Sequence, residues 1–183
     1  MDTMTGSAPA KPWRSSMCRG VAVIAMIVVA TGCATMKSAA SGPASVTRTF
    51  LDPTWLGPAP ADFTQTVAAS GGQTVYVSAQ TAWDPNRNAV VGPGDFRAQA
   101  VRAFERLKIA VEAANASLAD VVRLTIYVKD YRPQHLDVLR EVLASNFPRD
   151  AMPARTVVGV QMLERDGLLI AVEAIAVNDV PRR

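Results

Sequence analysis

Past residue 33 the chain contains no cysteine, and across all 183 residues it contains one histidine, His135. The first absence leaves the downstream fold without a disulfide or a catalytic thiol. The second excludes metal centres built from several histidines. A Ser-His-Asp relay would have to be assembled around His135, and no nucleophile elbow lies near it. At the start of a surface-like helix, His135 reads as a solvated residue. No dinucleotide fingerprint is present, and Gly92-Pro93-Gly94 lacks the Lys and the Ser/Thr of a phosphate loop. Internal repeats and coiled-coil heptads are missing as well. Nor is there a real excess of one charge. The formal net charge is +3, from 19 Lys and Arg against 16 Asp and Glu, but Lys11, Arg14, Arg19 and Asp2 fall within residues 1–32; removing those three bases and one acid leaves 16 basic and 15 acidic residues. So balanced a remainder makes no electrostatic case for binding nucleic acid.

What is present begins with a targeting segment. Lys11, Arg14 and Arg19 precede an apolar run, Val21 to Ala30, that is too short to span a bilayer as a helix. Small residues then lead to Ala30-Thr31-Gly32-Cys33, so residues 1–32 read as a secretory signal peptide. Met17 offers an alternative start, because Met17-Cys18-Arg19 would serve as a short basic region. The last four residues resemble the lipobox of bacterial lipoproteins, with Ala30 where Leu is usual. That resemblance implies lipidation at Cys33, which becomes the mature N-terminus. Ala34 in place of Asp then implies the outer membrane, and hence a lipid-anchored protein on the periplasmic face of the cell envelope. An uncleaved or non-lipidated export signal is the other reading. Residues 33–45 are small and polar without periodicity, a flexible tether. Residues 46–179 suit one domain with a single core.

Within that domain, Pro53, Pro58 and Pro60 keep the first stretch irregular. Phe63 to Val67 suggests a short strand before the Gly71-Gly72 turn, and Thr74 to Ala79 alternates as a second strand. Asp95 is placed to cap a helix to Ala114, whose Val101, Phe104, Leu107, Val111 and Ala114 share one face. Val121 to Val128 alternates again, with Arg123, Thr125 and Tyr127 turned toward solvent or a partner subunit. A second helix from Gln134 to Asn146 carries Leu136, Leu139 and Leu143. Two β-branched runs, 153–160 and 168–177, flank Glu164-Arg165-Asp166-Gly167 and read as a hairpin. The order β-β-α-β-α-β-β, with both helices on one face of a mixed sheet, gives an α+β fold.

The last run is apolar throughout except for Glu173. A lone carboxylate there needs a cation, hydrogen-bond donors or a raised pKa. Arg155, just after Pro153, is the available cation. Such a pair either carries chemistry or exists only to satisfy itself. The surviving inventory of an Arg, a Glu, a Ser and backbone amides suits a small carboxylate held beside a positioned water.

The turn Pro153-Ala154-Arg155-Thr156 and the closing Val172-Glu173-Ala174-Ile175-Ala176-Val177 resemble the C-terminal signature of the Rid family of imine and enamine deaminases, also called YjgF-type proteins. Val75 to Gln80, Gly92 to Phe96, Leu118 to Val122 and Ile126 to Asp130 extend the likeness in order and spacing, over about residues 46–179. The resemblance implies a chorismate-mutase-like fold, a homotrimer with three clefts between subunits, and hydrolysis of 2-imino acids to 2-oxo acids and ammonia without a cofactor or metal. It implies that Arg155 pairs with the substrate carboxylate and that Glu173 positions or deprotonates the attacking water. Ser78 and Phe63 would line the pocket, and the amide of Val157 would help hold the carboxylate. Phe63 stands where the best-known members have Tyr, Val157 where they have Cys, and apolar Val138 or Leu139 where they have Asn. The pocket should therefore be drier. Two other readings stay open: a non-catalytic trimeric lipoprotein that binds a small ligand, and a ribonuclease, against which the charge balance and the missing catalytic His both argue.

Overall fold

The computed structural model describes residues 45–179. The expected signal peptide, Cys33 and all but the last residue of the tether lie outside the described residues. In chain order the elements are β1 (Thr47–Leu51), β2 (Thr66–Ser70), β3 (Gln73–Thr81), β4 (Trp83–Asp84), β5 (Ala89–Val90), α1 (Phe96–Glu112), β6 (Val121–Lys129), α2 (Pro133–Asn146), β7 (Ala154–Val160) and β8 (Ile170–Asn178).

The main sheet has the order β3-β8-β6-β7, antiparallel except for the β6–β7 pair. That parallel pair needs a crossover, and α2 supplies it. Both helices lie over one face. Leu124, Ile126 and Val128 of β6, and Ile170 and Val172 of β8, are 0% exposed and share one core with Phe104 and Leu107 of α1 and Leu139 and Leu143 of α2. Burying each such side chain is worth roughly 1.5–3 kcal/mol. The fold is α+β, with the helices on one side of a mixed sheet. The opposite face carries Arg123, Thr125 and Tyr127, and Tyr76 there is 78% exposed.

The hairpin expectation is overturned. β7 and β8 are not neighbours; β6 lies between them. The physical reason is burial. β8 is apolar along most of both faces and takes an interior place in the sheet, while β7, which is partly exposed at most positions, takes the edge. The connection between them is fastened instead to α1. Gln99, fully buried, donates through Nε2 to the carbonyls of Gly92 (3.1 Å) and Gly167 (2.8 Å), and its Oε1 accepts from the Leu169 amide (2.8 Å). Arg165 also stacks its guanidinium over Trp83 at 4.5 Å.

The helices begin where the sequence places them. The Asp95 side chain accepts from the Ala98 amide at 3.0 Å, a cap worth about 1 kcal/mol. The apolar stripe of α1 is rotated from the expected one: Gln99, Ala100 and Ala103 join Phe104, Leu107 and Val111 inside, while Val101 is 44% exposed. α2 opens on Pro133, whose missing N–H costs nothing at that position. His135 is not simply solvated. It accepts from the Arg132 amide through Nδ1 (3.1 Å) and stacks on Phe96 with ring centroids 4.3 Å apart.

The N-terminal part differs most. β1 pairs with β2, which starts at Thr66 and not at Phe63, so Phe63 lies in the preceding loop. Thr64 next to it is tied to Met152 by a 2.7 Å hydroxyl bond and bridges Ala154. That anchoring brings the 57–64 loop to the start of β7.

Candidate functional site

Two clusters collect the residues singled out by the sequence, and the sheet lies between them. Arg155 is in register with Leu124, and Glu173 with Thr125. Leu124 and Thr125 are consecutive on β6, so their side chains leave opposite faces. Arg155 therefore points to the helix side and Glu173 to the open side. Within one chain they do not form the pair that the sequence suggested.

Glu173 belongs to the open face. With Ser78, Arg123, Thr125, Tyr76 and Ile175 it lines a cavity of about 390 Å³. Ser78 arrives there at a break in register, where β3 spends one more residue than β8 between Val77 and Gln80, and such a bulge re-aims side chains. The partner of Glu173 is Tyr127, whose hydroxyl donates to Oε1 at 3.0 Å. That hydrogen bond, with loss of solvation behind it, raises the phenol above its ordinary pKa. Nothing in the sequence distinguished Tyr127 from Thr125 as the donor: the registry sets Thr125 directly opposite Glu173, and the longer Tyr127 reaches it from the diagonal position.

Arg155 belongs to the edge. Its side chain is 7% exposed, and Nη2 lies 3.0 Å from Oδ2 of Asp62, itself 12% exposed. The Phe63 ring centroid lies 5.0 Å from Cζ, a favourable stacking distance for a guanidinium. Arg140, reaching from α2, places Nε 3.5 Å from the same Asp62 oxygen. Burial lowers the Arg155 pKa, with Asp62 acting in the opposite direction. Nη1 of Arg155 is buried and has no hydrogen-bond partner among the described residues. An unsatisfied buried donor on a cation is expensive. Asp62 and Arg140 were missed by the sequence reading. The available signal was the acid directly before Phe63.

Of the other expected pocket residues, Phe63 does lie on the guanidinium, whereas Val157 packs its side chain against the core. Leu139 is fully buried, and Val138 packs against the core while partly exposed. The structure thus brings Ser78 to Glu173 and Phe63 to Arg155, in two separate groups.

Comparison with known proteins adds the following. Residues 57–178 match the family model described as Endoribonuclease L-PSP. A protein of Dermatophagoides farinae named 2-iminobutanoate/2-iminopropanoate deaminase is 34% identical over 137 residues, which is 74% of this chain and 97% of that one. Among solved structures, a Rid family protein of unknown function from Yersinia pestis superposes with a TM-score of 0.66 at 32% identity, covering 71% of this chain and 98% of the other. RidA from an Antarctic Psychrobacter superposes at 0.52 with 35% identity, covering 65% and 93%.

Proposed function

The chain belongs to the endoribonuclease L-PSP family, which includes the Rid proteins, and on that footing we propose that it hydrolyses 2-imino acids to 2-oxo acids and ammonia. The observation that carries this reading is Arg155: a buried guanidinium at the Pro153-Ala154-Arg155-Thr156 turn with an unpaired Nη1. A planar fork with a free arm suits a carboxylate, which it can hold by two parallel hydrogen bonds. Glu173, held by Tyr127 on a half-open surface, would take a proton from water as it adds to the C=N carbon. Glu173 returns that proton to the nitrogen, and ammonia then leaves from the tetrahedral carbon as the hydroxyl gives up its proton and the carbonyl forms. No cofactor enters this chemistry.

Arg155 and Glu173 lie on opposite faces of one sheet, so the reading requires more than one chain. We infer a homotrimer in which the open sheet face of each protomer meets a neighbour and the site is completed across the cleft. Exposed Tyr76 and the polar set Arg123 and Thr125 on that face support it. A lipid anchor at Cys33, placing the protein on the periplasmic face of the envelope, is proposed from the sequence alone. Labelling with a fatty acid should be lost in Cys33→Ala; retained labelling would remove the anchor.

A second reading is favoured by Asp62, which already sits on Arg155. A carboxylate in that place, with Phe63 beside it, fits a binding protein that turns nothing over. The near balance of charge beyond residue 32 gives RNA phosphates little to hold. The deciding experiment measures ammonia release from imino acids generated in situ by an amino-acid oxidase. Acceleration over free hydrolysis is expected. No acceleration across small and bulky imino acids, from well-folded protein, would leave the binding reading in its place.

A further inference from the structure

We propose that Asp62 is the resident counter-ion of Arg155 in the ligand-free site and passes to Arg140 when a carboxylate ligand takes the guanidinium. The inference rests on the reading of Arg155 as the carboxylate-binding group and adds to it a residue that sets affinity and one that positions it.

A guanidinium only 7% exposed must have a counter-charge, or the site carries an uncompensated buried cation. Asp62 supplies it at 3.0 Å. The contact is poorly made, however. Oδ2 of Asp62 and Nη1 of Arg155 are both buried without a hydrogen-bond partner among the described residues. The pair is therefore held by charge and proximity, without the two aligned N–H···O bonds of an Arg–carboxylate fork. A ligand carboxylate able to align both oxygens would satisfy donors that Asp62 leaves idle.

Displacement is feasible because Asp62 has somewhere to go. Nε of Arg140 is already 3.5 Å from the same Oδ2, and the Arg140 side chain is 52% exposed. A small swing moves the carboxylate from a buried cation to a solvated one, so it is never left unpaired. The Phe63 ring, 5.0 Å from Cζ, braces the guanidinium. Between the two ions it is the anion that moves. The observed affinity of any carboxylate ligand is then its intrinsic affinity less the cost of displacing Asp62. Ligands without an anionic group have no means of displacing it. Asp62 thus acts as a filter that selects anionic ligands and keeps their binding weak.

The test titrates the full chain with 2-oxobutanoate, a product-like monocarboxylate, by calorimetry. The variants are Asp62→Asn, Arg140→Gln, their double, and Arg155→Ala. Asp62→Asn should tighten binding by about tenfold, since the ligand no longer competes with a fixed charge. Arg140→Gln should weaken it roughly three- to tenfold although Arg140 does not touch the ligand, because displaced Asp62 then lacks its second partner. In the Asp62→Asn background the Arg140→Gln effect should vanish, the non-additivity expected of coupled residues. Unchanged or weaker binding in Asp62→Asn, or additive effects in the double variant, overturns the proposal. Should Asp62→Asn not fold, Arg140→Gln decides alone: weaker binding supports the handover and unchanged binding overturns it. Arg155→Ala separates the two levels. If it binds as tightly as wild type, the carboxylate-binding role of Arg155 falls and this inference with it. If it abolishes binding while Asp62→Asn changes nothing, only the counter-ion inference falls.

Discussion

The edge cluster around Arg155 and the face cluster around Glu173 are built in opposite ways. Arg155 is enclosed by three separate segments of its own chain, the 57–64 loop, α2 and β7, and it has an internal counter-charge. Glu173 is enclosed by almost nothing except neighbouring strands, and its hydrogen-bond partner among the described residues is neutral Tyr127. The edge cluster carries its counter-charge within the chain, although Nη1 of Arg155 and Oδ2 of Asp62 make no hydrogen bond among the described residues. The other is an open surface whose carboxylate is oriented but not covered. A buried ion needs its balance within the fold, whereas an exposed one can wait for a partner subunit to exclude water. The contrast teaches that neither cluster alone is an active site.

The largest expected effect breaks the edge. Arg155→Ala should reduce imine hydrolysis to the uncatalysed rate, and Arg155→Lys should rescue it poorly, because a point charge cannot reproduce a planar fork. Near-wild-type turnover in Arg155→Ala would remove the edge from the mechanism, and in Arg155→Lys it would remove the need for a planar fork. Next comes the face. Glu173→Gln, nearly isosteric, should lower kcat by about 10²–10⁴-fold with an unchanged melting temperature. A fall in melting with retained kcat would make Glu173 structural.

A third change lies outside both clusters and sharpens the comparison as a control. Gln99→Met strips the Gly167 carbonyl and the Leu169 amide of their partner, while the Gly92 carbonyl keeps the Asp95 amide. It should cost roughly 2–4 kcal/mol in thermal unfolding, each orphaned group contributing about 1–3 less what water recovers. A stable variant would show that the connection between β7 and β8 is held by something else.

The smallest effect probes the face hydrogen bond. Tyr127→Phe should slow turnover about three- to tenfold through a less well-held Glu173. In the wild type the phenol titrates above its ordinary value because it donates to Glu173. Its stabilising contribution is therefore complete below the unfolded phenol pKa and is lost as pH rises through the folded one. Alkaline denaturation of Tyr127→Phe should lack that component; an identical alkaline profile would show the hydrogen bond to be energetically silent.

Local features were legible in the sequence, and pairings were not. Asp95 capping α1, the crossover helix α2 and the apolar β8 follow from side-chain chemistry within a few residues. The hairpin failed because strand proximity in sequence competes with burial. β8 gains more by lying between β3 and β6 than by folding back on β7. Phe104, Leu107 and Val111 of the expected α1 stripe are buried, but Val101 is not, because the close packing at that end of the helix takes the smaller Ala100 and Ala103 in its place. Arg155 and Glu173 were recognisable as unusual charges, yet their partners, Asp62 and Tyr127, were not. Asp62 is 93 residues before Arg155 and is brought there by the Thr64 anchor on Met152. No periodicity encodes such a contact. β1 was missed for a plainer reason: five residues between a small-residue tether and a proline-rich stretch offer little pattern to read.

The three bonds of Gln99 have a consequence for motion. The Leu169 amide donates to a helix side chain and not to a strand, so its hydrogen exchange should report the escape of one rotamer and not the opening of the sheet. The same escape frees the Gly167 carbonyl and one bond to Gly92. Two turns far apart in sequence therefore share a single latch, and the loop leading into β8 should loosen in step with the entry to α1.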